Sequence, residues 1–239
     1  MTRVMIRTGA AALLAGFAAT SGGAAPDLST KETRAVTHGY ARCVVDRQHA
    51  RASQAILANA DNAEILRRYP KLIIGECLTR QLRTGATMTF SGELYRYALA
   101  DALVAEEFSE APAPVLAVTP ALAHNTPGTP PPPLPADAGK SARKKYDEAV
   151  ADYTESVGYA FLSRYGECIV RTDTPGAKAL LLTDPDSEDE GRSFVALQDA
   201  FANCLEEGQT LTFGKVALRG SIAINYYRLA HAAGQKAAG

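Results

Sequence analysis

Two pairs of cysteines, each followed by the same six-residue pattern, constrain this chain more than any other feature. Cys43 and Cys77 lie 34 residues apart (77 − 43), and Cys168 and Cys204 lie 36 apart (204 − 168). Cys77-Leu78 leads to Gly85-Ala-Thr-Met-Thr-Phe90, and Cys204-Leu205 leads to Gly208-Gln-Thr-Leu-Thr-Phe213. A shared Gly-x-Thr-(Met/Leu)-Thr-Phe at the same relative place indicates an internal duplication. Four cysteines allow three pairings. A unit that existed before duplication must have closed its bond internally, which selects Cys43 with Cys77 and Cys168 with Cys204. Loops of this size give each bond roughly 3 to 4 kcal/mol by chain entropy. That is a large share of the stability of a unit of roughly 80 to 95 residues, whose core is modest.

The compartment follows from the N-terminus. Residues 1–24 read as a secretory signal peptide: Arg3 and Arg7 precede a short apolar run from Gly9 to Ala19, then small residues up to Ala25. The run is shorter than the roughly 20 apolar residues that a spanning helix needs. An even cysteine count with no C-x-x-C then reads as structural disulfides outside the cytoplasm. The expected location is periplasmic or secreted, with no membrane span. The chain has 25 basic and 26 acidic residues, and aromatics are not interleaved with Lys or Arg. This is no nucleic-acid footprint.

Nine of the 13 prolines lie between Pro112 and Pro135. Such a stretch supports neither helix nor ladder and favours extended polyproline II. Residues 109–139 are therefore expected to be an exposed, poorly ordered linker. It separates repeat unit 1 (27–108) from repeat unit 2 (140–235). Each unit reads as about four helices. In unit 2 a first helix near Ser141 carries the stripe Tyr146, Val150, Tyr153, Val157, Phe161, Tyr165 and Cys168, at helical spacing. Val36, Tyr40 and Cys43 repeat its end in unit 1. A short apolar helix follows, Ala55-Ile-Leu-Ala58 matching Leu180-Leu-Leu-Thr183. Asp61-x-x-Glu64 and Ser187-x-x-Glu190 have capping-box spacing. The second opens a helix whose buried face holds Phe194, Leu197, Phe201 and Cys204, and Pro70 interrupts its counterpart. The closing helices carry Tyr95, Leu99, Leu103 and Leu218, Ile222, Tyr226. Ser91 and Gly214 suit their N-caps, and Phe90 and Phe213 are placed to staple against Tyr95 and Leu218.

Chemical motifs are weak. Ser141-x-x-Lys144 matches the opening motif of penicillin-recognising enzymes, but neither Ser-Asp-Asn nor Lys-Thr-Gly follows, and Ser141 is better read as an N-cap. Gly139-Lys140-Ser141 lacks the leading glycine of a phosphate loop, having Leu134 there. Asp184-Pro-Asp186-Ser-Glu188 starts like a calcium loop but has Asp189 where Gly is needed and Val195 where Glu is needed. His38, His49, His124 and His231 show no metal-ligand spacing, so no metal and no cofactor is implied. No Gly-x-Ser-x-Gly elbow occurs. One polar position does repeat. Arg96 and Arg219 each stand six residues after the matched phenylalanine, one step from the apolar stripe. They read as snorkelling arginines whose stems cover the core edge, as arginines bonded to helix-end carbonyls, or as candidate anion-binding residues, one per unit.

Cys-(Val/Ile)-Val, Cys-Leu, the Gly-x-Thr-x-Thr-Phe signature and Leu218-Arg219-Gly220 together resemble exported proteins of sphingomonad-type alphaproteobacteria. Unit 1 departs from the pattern with Tyr95-Arg96-Tyr97. The resemblance implies no catalytic residues. The expected fold is all-α, two homologous disulfide-stapled units on a proline-rich linker. The expected function is a non-catalytic binding or scaffold role toward an envelope protein or small ligand. The alternative is a hydrolase-like envelope enzyme with its site between the units, and clustered His, carboxylate or Arg groups at a pocket there would favour it.

Overall fold

The computed structural model describes residues 30–81, 93–205 and 214–237. These form nine α-helices, with no strand among the described residues: α1 Thr30–Leu57, α2 Asn62–Arg68, α3 Gly75–Gln81, α4 Leu94–Phe108, α5 Lys140–Thr172, α6 Thr174–Leu181, α7 Glu188–Ala196, α8 Gln198–Asn203 and α9 Lys215–Ala237. A 3-10 turn, Pro70–Leu72, separates α2 from α3. This is the restart that Pro70 predicts, since proline lacks the amide that would continue the helix.

The frame is four long helices. α4 packs between α1 and α9, and α9 packs between α4 and α5. Tyr95, Leu99 and Leu103 of α4 and Ile222 and Tyr226 of α9 are fully buried, as the apolar stripes require. Tyr97, Ala100 and Val104 bury a second face of α4, and Ala223, Tyr227 and Ala230 do the same for α9. The two helices cross where Gly220 meets Tyr97, and a methyl group at Gly220 would collide with the Tyr97 ring and its Cβ. Glycine is required there by close approach, not by backbone angle.

Cys43–Cys77 ties α1 to α3, and Cys168–Cys204 ties α5 to the end of α8. The pairing is the expected one. Tyr40 and Tyr165, each three residues before a cysteine, anchor the facing segments. The Tyr40 hydroxyl accepts from the Ile74 amide at 3.0 Å, and the Tyr165 hydroxyl donates to the Phe201 carbonyl at 3.0 Å.

Several expectations need correction. The short helix expected at Ala55–Ala58 is the end of a longer one that reaches back to a kink at Gln48 (φ −135°, ψ 33°), where two helices meet within α1. Of the α5 stripe, Tyr165 near its end is buried, while Val150 and Val157 are exposed among the described residues. The α5 N-cap is Gly139, not Ser141, and the α4 N-cap is Glu93, not Ser91. The capping box at Asp61 is complete. At Ser187 only half of it forms, because the Glu190 carboxylate turns instead to the Asp186 amide and to two arginines. Residues 1–24, the two Gly-x-Thr-x-Thr-Phe signatures and the Phe90 and Phe213 staples lie outside the described residues.

The largest departure concerns the linker. Leu116 enters the core, and residues 116–124 run along α5. An extended proline-rich chain leaves its carbonyls free for side-chain donors. Arg171 of α5 supplies those donors, to the carbonyls of Leu116 at 2.9 Å, Thr119 at 2.7 Å and Pro120 at 2.8 Å. Composition alone does not reveal a donor that sits some 50 residues downstream.

Candidate functional site

The two repeated arginines both occupy the first turn or two of a closing helix, yet they meet opposite fates. Arg219 on α9 is 4% exposed. Its Nε and Nη2 bond the two oxygens of Asp101 on α4, each at 3.1 Å. Its Nη1 reaches Thr183 Oγ1 and Glu190 Oε1, each at 3.0 Å. Its Nη2 also meets the carbonyls of Leu181 and Thr183 at the end of α6, at 3.1 and 2.8 Å. A guanidinium has five N–H donors, and all are used. Arg219 therefore caps α6 and neutralises buried carboxylates, and it holds nothing in reserve for a ligand.

The surrounding cluster is extended by α1. Arg34 bonds both Glu190 oxygens, at 3.1 and 2.8 Å, and also Asp186. His38 Nε2 lies 3.1 Å from Asp101 Oδ2. Burial by itself raises the Glu190 pKa, but the bonds from Arg34 and the Asp186 amide outweigh it and hold the carboxyl below the ordinary range. A cleft of about 270 Å³ opens over this cluster, lined largely by apolar groups such as Leu94, Ala98 and Val216. Its charged floor is paired internally.

Arg96 on α4 is also buried, but it is not saturated. Its Nη1 bonds Glu93 at 3.0 Å and its Nη2 bonds Asn59 Oδ1. Its Nε is buried and has no hydrogen-bond partner among the described residues. Arg228 of α9 approaches the same Asn59 oxygen at 3.2 Å and donates to the Ala123 carbonyl at 2.8 Å. No described carboxylate lies within salt-bridge distance of Arg228. Burial first, and the neighbouring Arg96 second, push its pKa down to about 10, which leaves it charged at neutral pH. Asn59, which accepts from both guanidiniums, sits at φ 54°, in the left-handed region that asparagine tolerates at a helix end.

Arg96 and Asn59 border a cavity of about 360 Å³ between the end of α1, the start of α4, α5 and the 116–126 strap. Asn59, Arg96, Asn125, Tyr159 and Ser163 line it, with Asp61 and Glu93. Both carboxylates are committed elsewhere: Asp61 to the Glu64 amide, and Glu93 to Arg96 and the Asn62 amide. After internal pairing, the Arg96 Nε–H is the buried donor left unpaired, while the Asp61 carboxylate on the same wall is met by an amide and not by a cation.

One wall carries a second constellation. His124, from the strap, places Nδ1 2.7 Å from Ser163 Oγ and bonds Glu167 through Nε2. Glu167 is held by Arg171 at 2.8 and 2.6 Å and by the Leu122 amide at 3.1 Å. Burial opposes ionisation of Glu167, and the bonds from Arg171, Leu122 and His124 outweigh it, so its pKa is lowered. Spacing in the sequence assigns His124 no role. Ser163-x-x-x-Glu167, one helical turn apart, is the signal that went unread. All four histidines pair with carboxylates, His49 and His231 sharing Glu107 at 2.8 and 2.7 Å. Among the described residues no group of three His, Cys, Asp or Glu side chains could hold a metal ion, and no helix is long and apolar enough to cross a membrane.

No protein-family model, curated protein or solved structure matches the chain.

Proposed function

We propose that this is an exported protein, built from two homologous helical units, that binds a small ligand carrying a carboxylate or phosphate group. The ligand enters the cavity bordered by both units and the strap, and its anionic group meets Arg96 beside Arg228. Export rests on the N-terminal segment and fits the two disulfides. The duplication rests on the repeated cysteines and signatures. The matching attachments of Tyr40 and Tyr165, and the meeting of the equivalent positions Tyr97 and Gly220 at the α4–α9 crossing, support it.

The observation that carries the binding reading is the Arg96 Nε, buried without a partner. A buried donor left unpaired costs about 1 to 3 kcal/mol, and a charge-assisted bond to an anion would recover that. Arg219 favours the same conclusion by contrast, because the equivalent position is fully satisfied by protein groups.

Isothermal titration calorimetry at neutral pH with inorganic phosphate and with acetate tests it. Wild type should bind at least one of them, and Arg96→Gln should weaken binding at least tenfold, or about 1.4 kcal/mol. Arg219→Lys serves as the control outside the cavity and should bind as wild type does. No binding by wild type, or equal binding by Arg96→Gln, contradicts the reading.

A further inference from the structure

We propose that Ser163 and His124 are the reacting pair of an ester-hydrolysing centre that opens into the Arg96 cavity. The proposal takes from the binding reading only the identity of the anchoring group: the substrate is a small carboxylic ester with an anionic substituent held at Arg96.

The geometry assigns the roles. Glu167 is a carboxylate, gripped by Arg171 and the Leu122 amide, and it faces His124 Nε2. That nitrogen therefore carries the ring hydrogen, and Nδ1 presents its lone pair to the Ser163 hydroxyl 2.7 Å away. A hydroxyl bonded to an imidazole that is itself oriented by a carboxylate is the arrangement that activates a serine nucleophile. The attachment is rigid on both sides. Ser163 lies within α5, where Asn225 of α9 donates to its carbonyl at 2.8 Å, and the strap that bears His124 is clamped by Arg171. Ser163 is one of the residues that line the cavity.

The chemistry balances with water as the only co-reactant. Ser163 Oγ bonds to the acyl carbon as its proton passes to His124 Nδ1. The carbon–oxygen bond to the alcohol breaks, and the leaving oxygen takes that proton. Water then attacks the acyl-serine, gives a proton to His124, and the released Ser163 oxygen recovers it. Ester and water become acid and alcohol. A serine in mid-helix has its amide in the helix ladder, so a negative oxygen on the intermediate must be met by side chains. Asn125 lines the same cavity and carries a side-chain amide donor, apart from the Arg96 anchor. Glu167 and Arg171 touch no reacting atom and are positioning residues.

A fluorophosphonate probe, followed by peptide mass spectrometry, tests the assignment on the full chain, with hydrolysis of p-nitrophenyl acetate as the second readout. The probe should label Ser163. Ser163→Ala should abolish labelling and reduce hydrolysis at least a hundredfold while keeping wild-type phosphate and acetate binding by calorimetry. His124→Gln should suppress labelling, with a far-ultraviolet spectrum that confirms folding. Glu167→Gln should lower the maximal labelling rate about tenfold or more and leave the probe concentration for half-maximal rate unchanged, which loss of packing alone would not do. No label on Ser163, or hydrolysis that survives Ser163→Ala, overturns the centre. Loss of phosphate and acetate binding only in Arg96→Gln is the separate test of the binding reading, so either can fall alone.

Discussion

Arg219 holds two buried carboxylates and the end of α6 through one guanidinium, so its removal takes the guanidinium partner from Asp101 and leaves Glu190 with Arg34 alone. Breaking a buried ion pair from one side costs about 3 to 5 kcal/mol. Arg219→Ala should lose about that much by urea denaturation, whereas Arg96→Ala, whose partner Glu93 lies at the cavity edge, should lose less. The same cluster fixes an acid response. The Glu190 pKa is lower folded than its unfolded value near 4.5, so its contribution is present above that value and fades as pH falls through the folded pKa. Denaturation at stepped pH should show stability roughly level from pH 7 to about 5 and falling below it, with Glu190→Gln flattening the fall. A slope unchanged in that variant would place the acid sensitivity elsewhere. At this scale the sequence was only half legible. It located Arg96 and Arg219 by repetition and gave both fates for them, helix-end bonding and anion binding. It could not distribute those fates, because the Arg219 partners lie 29 to 118 residues away in sequence.

Elements were more legible wherever a local rule governed them. Pro70 breaks a helix because of its own chemistry, and the Asp61 capping box forms from residues three apart. Cysteine pairing was legible because the repetition selects one of three connectivities. The α5 stripe misled, since helical spacing shows that a face is apolar but not that anything covers it. Val150 and Val157 remain exposed. The α4–α9 crossing offers a direct check on packing. Gly220→Ala drives a methyl group into Tyr97, and overpacking of this kind costs about 1 to 3 kcal/mol. Adding Tyr97→Ala should recover part of that loss, so the two changes should be non-additive. Strict additivity by thermal and urea denaturation would mean that the helices do not meet there.

At the scale of the whole molecule, the strap joins the two halves of the chain by packing along α5. Arg171 binds three carbonyls of the stretch from 116 to 125, which carries His124 to Ser163 and Asn125 to the cavity wall. Limited proteolysis should therefore cut first within residues 127–139, past the clamped stretch, and Arg171→Ala should open new cuts between 116 and 125. First cleavage between 116 and 125 in wild type would contradict the docking. The central claim is that Arg96 keeps a donor for an anion. Arginine side-chain amide NMR reads that donor directly, with the Arg96 Nε–H signal assigned by its loss in Arg96→Lys. Titration with phosphate or acetate should shift this signal downfield and saturably, with the Arg219 Nε–H signal unmoved. An Arg96 signal that stays in place at saturating concentrations of both anions would contradict the account.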